Sequence, residues 1–119
     1  MPIAIAEFLR VLKPDGFVVI TCPDRQSVCS LVAEDKLLES AYSAPAGPIA
    51  PIDIFYGHRP SLARGNLFMA HRCGFTRQVL DAVLRAGGFQ TVASMARGRA
   101  PYFDLWALAS KSMRSEAEL

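Results

Sequence analysis

The chain has 119 residues, of which 51% are hydrophobic and 20% charged, a composition that fits one modest folded domain and excludes general disorder. Its 13 basic and 11 acidic residues leave a formal charge of +2, too balanced for a surface built to bind nucleic acid or an anionic membrane. No apolar run approaches the roughly 20 residues of a membrane span, and Met1-Pro2-Ile3-Ala4-Ile5-Ala6-Glu7 lacks the basic start and unbroken apolar stretch of a signal peptide.

The opening segment carries Ile5, Phe8, Leu9 and Leu12, the i, i+3, i+4, i+7 stripe of an amphipathic helix. Lys13-Pro14-Asp15-Gly16 stops it in a turn, because proline cannot continue the helix. Phe17-Val18-Val19-Ile20-Thr21-Cys22 follows as an unbroken β-branched and aromatic run, which predicts a strand covered on both faces. Asp24 suits the N-cap of a second helix over about 24–39, with Val28, Leu31, Val32 and Leu38 inward. Residues 43–60 contain Pro45, Gly47, Pro48, Pro51, Gly57 and Pro60 and hold no period, so they read as a long functional loop.

Thr76 is the expected N-cap of the next helix, whose apolar side carries Val79, Leu80, Val83 and Leu84 and which Gly87-Gly88 closes. Phe89 to Met95 alternates as a strand, with Phe89, Thr91, Ala93 and Met95 on one face. Arg97-Gly98-Arg99-Ala100-Pro101 is a loop, and Tyr102 to Ala109 is a last apolar strand in which Tyr102 and Trp106 read as core residues. Residues 1–110 then form the domain and 111–119 a polar, fraying tail. Helices and strands mixed in this order give an α/β class around one small sheet.

The run Glu7-Phe8-Leu9-Arg10-Val11-Leu12-Lys13-Pro14-Asp15-Gly16-Phe17-Val18-Val19-Ile20 resembles a stretch of class I methyltransferases of the type 11 kind, in which a helix ends in "RvLkPGG" before the fifth strand. Asp15 replaces the first glycine. Ala86-Gly87-Gly88-Phe89 is similar to the family's entry into its sixth strand, and His71-Arg72-Cys73-Gly74-Phe75-Thr76 to an "H-x-x-G-F-T" pattern before the preceding helix. The resemblance covers residues 4–110 and implies the C-terminal part of a Rossmann-like sheet. About three strands are expected, the last antiparallel and inserted between the other two, with flanking helices. It also implies S-adenosylmethionine as methyl donor and a small-molecule acceptor, joined by in-line displacement in a dry pocket.

The family's Gly-rich cofactor loop, which lets the backbone approach the donor, has no counterpart here: the sequence contains no GxGxG. On this resemblance the cofactor-binding elements lie N-terminal to Met1. A fifth strand lacking its fourth neighbour exposes a row of unpaired backbone groups. Self-association through Phe17–Cys22, or docking of a complementary N-terminal half, is therefore expected. The alternative is a non-catalytic remnant serving as an interaction or oligomerisation module.

Among candidate site residues, Tyr56, His58 and Arg59 lie in the long segment and His71 begins the next. Either histidine can act as general base, and an arginine can hold a carboxylate. The competing reading has His71 packed locally and Arg59 solvated. Cys22, with Thr21 and Asp24, falls at the C-terminal end of a strand, where α/β sheets place ligands, or is a small buried hydrophobe. Arg64, Arg97 and Arg99 attract a negative acceptor or are solvated loop charge. No metal is expected, because His58, His71 and Cys73 lack a recognised ligand spacing. Cys22, Cys29 and Cys73, widely spaced and with no CxxC, read as reduced thiols of a cytoplasmic protein.

Overall fold

The computed structural model describes residues 2–100 and 102–115. The elements run α1 (Pro2–Val11), β1 (Phe17–Pro23), α2 (Arg25–Ala33), β2 (Tyr42–Ala44), β3 (Gly47–Ile49), α3 (Pro51–Tyr56), α4 (Arg59–Ala63), a 3-10 turn (Leu67–Met69), α5 (Arg77–Ala86), β4 (Thr91–Arg97) and β5 (Asp104–Ser110). The class is mixed α/β. Two compact units divide the chain: the first takes residues up to Cys22, Phe75–Ala96 and those from Leu105 onward, and the second takes Pro23–Gly74 and Arg97–Asp104.

The first unit is built on a three-stranded sheet in the order β1-β5-β4. Lys111 N donates to Gly16 O at 3.2 Å and Gln90 N to Ser110 O at 3.1 Å. The start of each outer strand thus lies beside the end of β5, so both outer strands run antiparallel to it. The last strand in sequence is the central one, as expected. Among the described residues, β1 has no neighbour along its other edge.

Helices α1 and α5 supply the core that covers this sheet. Ile5, Leu80, Leu84, Phe89, Val92, Leu105, Ala107 and Ala109 are buried together, with Leu9, Leu12, Val18, Ile20 and Cys22 packed against them. Both helices therefore bury their stripes on one sheet face, where alternate strand residues meet them. The turn between α1 and β1 closes through Gly16 N to Lys13 O at 2.8 Å. Thr76 Oγ1 caps α5 by accepting from Val79 N at 3.4 Å, and Gly88 at φ +111° takes the backbone away from the helix end.

Several expectations are corrected. β1 alternates between exposed and partly buried residues, with Phe17, Val19 and Thr21 outward; an all-apolar run does not say which face a helix covers, and both helices chose the same one. Trp106 and Tyr102 are exposed rather than core. Trp106 stands between buried Leu105 and Ala107 on β5, so period 2 points it to the open face. β4 begins at Thr91, with Val92 as its buried residue, and Phe89 enters the core just before the strand.

The second helix stops at Ala33. Asp35 adopts φ +62° and Lys36 N donates to Leu31 O at 3.0 Å, the left-handed C-terminal cap that ends helices. Residues 43–60 are not structureless: they form the β2–β3 hairpin, α3 and the start of α4. The tail is held at Arg114, whose N–H donates to Thr91 Oγ1 at 2.9 Å, and at Lys111, whose Nζ donates to Leu12 O at 3.0 Å. Pro101 of the expected loop and residues 116–119 of the expected tail lie outside the described residues. No helix among the described residues is long and apolar enough to cross a membrane.

Leu84 is fully buried between α5 and the sheet. Leu84→Ala should cost about 2–4 kcal/mol, seen as a lower urea midpoint with an unchanged denaturant slope.

Candidate functional site

Four of the five expected site residues fall in the second unit. Its small core is Val28, Ile54 and Phe103, with Leu31, Tyr42, Ile49 and Phe55 packed on it. Tyr42 and Phe103 stack with ring centroids 6.3 Å apart. Burial, then the nearby charges of Asp104 and Asp53, pushes the Tyr42 phenol up. Asp24 is buried and caps α2, its carboxylate accepting from Gln26 N at 3.1 Å.

The short helices α3 and α4 are joined at a corner held by Asp53. Pro51 occupies the first turn of α3, where its missing N–H costs nothing, and Asp53 sits two residues on. Its Oδ2 accepts from Ala50 N at 2.9 Å, reaching back to the residue before the helix. Its Oδ1 accepts from Arg59 N at 3.1 Å and Arg59 Nε at 2.8 Å, and Arg59 Nη2 lies 3.3 Å from Oδ2. Burial by itself would raise the Asp53 carboxyl. The hydrogen bonds from Arg59 and Ala50, with the guanidinium's charge, outweigh it and hold the group at about 2. Arg59 is thus committed to an internal carboxylate, whereas the sequence suggested a carboxylate of the acceptor.

Gly57 joins the two helices at φ +114°. A Cβ there would lie 2.2 Å from Met69 O, so glycine is needed both for the torsion and for the close approach of residues 69–71. This approach lets His71 N donate to Tyr56 O at 3.1 Å.

The last carbonyls of α3 receive cationic and aromatic donors. Ile54 O accepts from Arg25 Nη1 at 2.5 Å and from His71 Nδ1 at 2.7 Å. A carbonyl only accepts, so this contact assigns the proton to His71 Nδ1 and leaves Nε2 as the acceptor of the neutral ring. Arg25 also donates to Cys73 O at 3.2 Å and lies 5.1 Å from the centroid of the Phe55 ring. A Cβ on Gly74 would run into the Arg25 side chain at 2.0 Å.

His58 precedes α4 and its Nδ1 lies 2.8 Å from Ser61 Oγ, a buried hydroxyl. Arg64 Nη2 reaches the same oxygen at 3.5 Å. This is a local i, i+3 pair at a helix start that engages His58 Nδ1. Tyr56 is exposed at the end of α3. Cys22 belongs to the first unit, where its side chain packs on the helix-side core; the structure does not group it with the other four. Arg97 pairs with Asp104 at 2.5 Å and lies 3.8 Å from the Tyr102 ring centroid, so it is not solvated loop charge.

Asp53, Arg25 and Ser61 were missed by the sequence reading. Pro51 followed by Asp53 is a helix-start signal that was hidden by the surrounding prolines and glycines. Among the described residues, no group of three His, Cys, Asp or Glu side chains is placed to hold a metal ion. No protein-family model, curated protein or solved structure matches the chain.

Gly57→Ala should destabilise the second unit by more than about 2 kcal/mol, since it combines backbone strain with a clash against main chain; thermal unfolding followed by circular dichroism checks this. For Asp53 the folded-state value lies below the ordinary 3.8, so its contribution is fully present above pH 4. It disappears as pH falls from about 4 to about 2. It amounts to roughly 1–2 kcal/mol, because Arg59 is half-exposed and screened. The stability difference between the wild type and Asp53→Asn in urea titrations should therefore shrink over that pH interval and be constant from pH 5 to 7.

Proposed function

We propose that the chain is the acceptor-side part of a methyltransferase-like α/β domain and that it gains a cofactor site only with a complementary half. The observation that carries this reading is the strand order β1-β5-β4, with the last strand antiparallel between the other two. It follows an α1–β1 junction whose Arg10-Val11-Leu12-Lys13-Pro14-Asp15-Gly16 run resembles the family's. The unpaired edge of β1 is where such a half would continue the sheet.

The residues present do not fit S-adenosylmethionine. β1 passes into α2 through Pro23-Asp24 without a glycine. Pro23 has no N–H to offer, and the buried Asp24 carboxylate already caps the helix. A donor of this kind needs free backbone N–H groups at a glycine turn. In the proposed reading the chain's own contribution is to the acceptor. His71 Nε2 takes a proton from it, while Ile54 O and Arg25 fix the ring's surroundings.

A second reading, a non-catalytic interaction module, draws support from the same missing grip and from the apolar open face of the sheet.

Calorimetry with S-adenosylhomocysteine, on the 119-residue chain and on any longer product encoded with upstream sequence, separates the two. The proposal expects no saturable binding by the chain alone and one-to-one binding by the longer product. A longer product that folds and does not bind removes it and leaves the interaction module.

A further inference from the structure

Residues 65–71 of the second unit form an ordered turn. Asn66 N donates to Ser61 O at 3.0 Å, Met69 N to Asn66 O at 3.2 Å and Ala70 N to Leu67 O at 3.1 Å. The returning chain is pinned where His71 N donates to Tyr56 O at 3.1 Å. The main chain is thus satisfied within the turn and its anchors. Its side chains are the anomaly. Leu67, Phe68 and Met69 are 64, 102 and 41% exposed. Three consecutive large apolar residues face water, and nothing shields the middle one.

Charge supplies a second observation. From Ile54 to Leu80 the sequence has no acidic residue and carries Arg59, Arg64, Arg72 and Arg77. Arg59 is neutralised by Asp53, and Arg77 belongs to the first unit. Arg64 and Arg72 remain, one on each side of the apolar turn. Both are exposed, and neither pairs with a carboxylate among the described residues. The total charge of +2 averages over this local excess. It excludes a broad membrane-binding surface and leaves room for a small basic, apolar tip.

We infer that the Leu67–Met69 turn inserts into the surface of an anionic lipid bilayer, with Arg64 and Arg72 at the level of the headgroups. Binding is peripheral and reversible. The three side chains expose roughly 400 Å², about half of the roughly 800 Å² that a stable protein partner covers on each side. A protein would also need a pocket shaped for Phe68, whereas acyl chains close around any protruding ring. Insertion strength follows apolar area plus the attraction of basic side chains to anionic lipid. A guanidinium holds a phosphate with two parallel hydrogen bonds while its stem lies along apolar surface. Tyr56, exposed and tied to His71 through its carbonyl, adds a ring with a polar tip, the kind that settles at the membrane–water boundary. The inference does not rest on the methyltransferase reading.

The test is co-sedimentation of the full chain with vesicles of phosphatidylcholine alone and with about 30% phosphatidylserine added, at low and high salt. The expected result is binding to the anionic vesicles, at least about 10-fold weaker binding to the neutral ones, and loss at high salt. Phe68→Ser should weaken binding at least about 10-fold. Arg64→Gln with Arg72→Gln should weaken it about 25-fold, from about 5-fold for each arginine. Phe68→Trp should retain binding and give a lipid-dependent blue shift that wild-type Trp106 does not show. All four positions are exposed, and circular dichroism checks that each variant is folded; Leu67→Ser stands in for Phe68→Ser where it is not. A folded chain that ignores the anionic vesicles overturns the inference. So does binding indifferent to lipid charge, or a folded Phe68→Ser that binds like the wild type. Self-association in the absence of lipid that Phe68→Ser abolishes also overturns it, since the turn then serves a protein contact.

Discussion

The Asp53 carboxylate fixes the second unit because it accepts from two backbone N–H groups and a guanidinium at once. α3 has six residues and α4 five, far short of what holds a helix together in water. Such pieces persist only when their ends are tied. Asp53 ties the start of α3 through Ala50 N and the start of α4 through Arg59 N. From that corner follow the tight Gly57 link, the approach of residues 69–71, and the carbonyl of Ile54 that His71 and Arg25 share. The candidate site is therefore a set of helix ends tied by polar groups beside the small apolar core of Val28, Ile54 and Phe103.

The first unit is organised on the opposite principle. Helices α1 and α5 press one continuous apolar cluster onto a single sheet face, and the hydrophobic effect does most of the work there. The cost of placing both helices on the same side is an open second face. A sheet with one face covered is ordinary when its outer residues are polar; here they are Phe17, Val19, Met95 and Trp106. That mismatch leaves four large apolar side chains substantially exposed on one face.

How far the sequence could be read depended on whether the signal was local. The Pro14–Gly16 turn, the Asp24 and Thr76 caps and the Gly88 exit each depend on a few neighbouring atoms, and each appears in the structure where the residues implied. The central position of the last strand also agrees with the expectation drawn from the family resemblance. The face of β5 was illegible because Leu105, Ala107 and Ala109 alternate with Trp106 and Leu108, so both parities are apolar. Residues 43–60 misled because proline and glycine were read as breakers, while Pro51 and Pro60 in fact stand in the first turns of α3 and α4. His58, Arg59 and His71 were recognised as chemically able. Of their partners, Asp53 and Ser61 lie at helix-start spacings that the surrounding prolines and glycines hid, while the Ile54 carbonyl that meets His71 is set by folding alone.

The strand order has a consequence for how the chain is made. Among the described residues the neighbour of β1 is β5, which begins at Asp104, about 80 residues after β1 ends at Pro23. During synthesis at about 5–20 residues per second, the Phe17–Cys22 segment has emerged for roughly 4–16 seconds before its pairing strand exists. Throughout that interval both of its edges are bare and its apolar side chains have no sheet to join. Slowing translation over residues 24–104 lengthens the exposure in proportion.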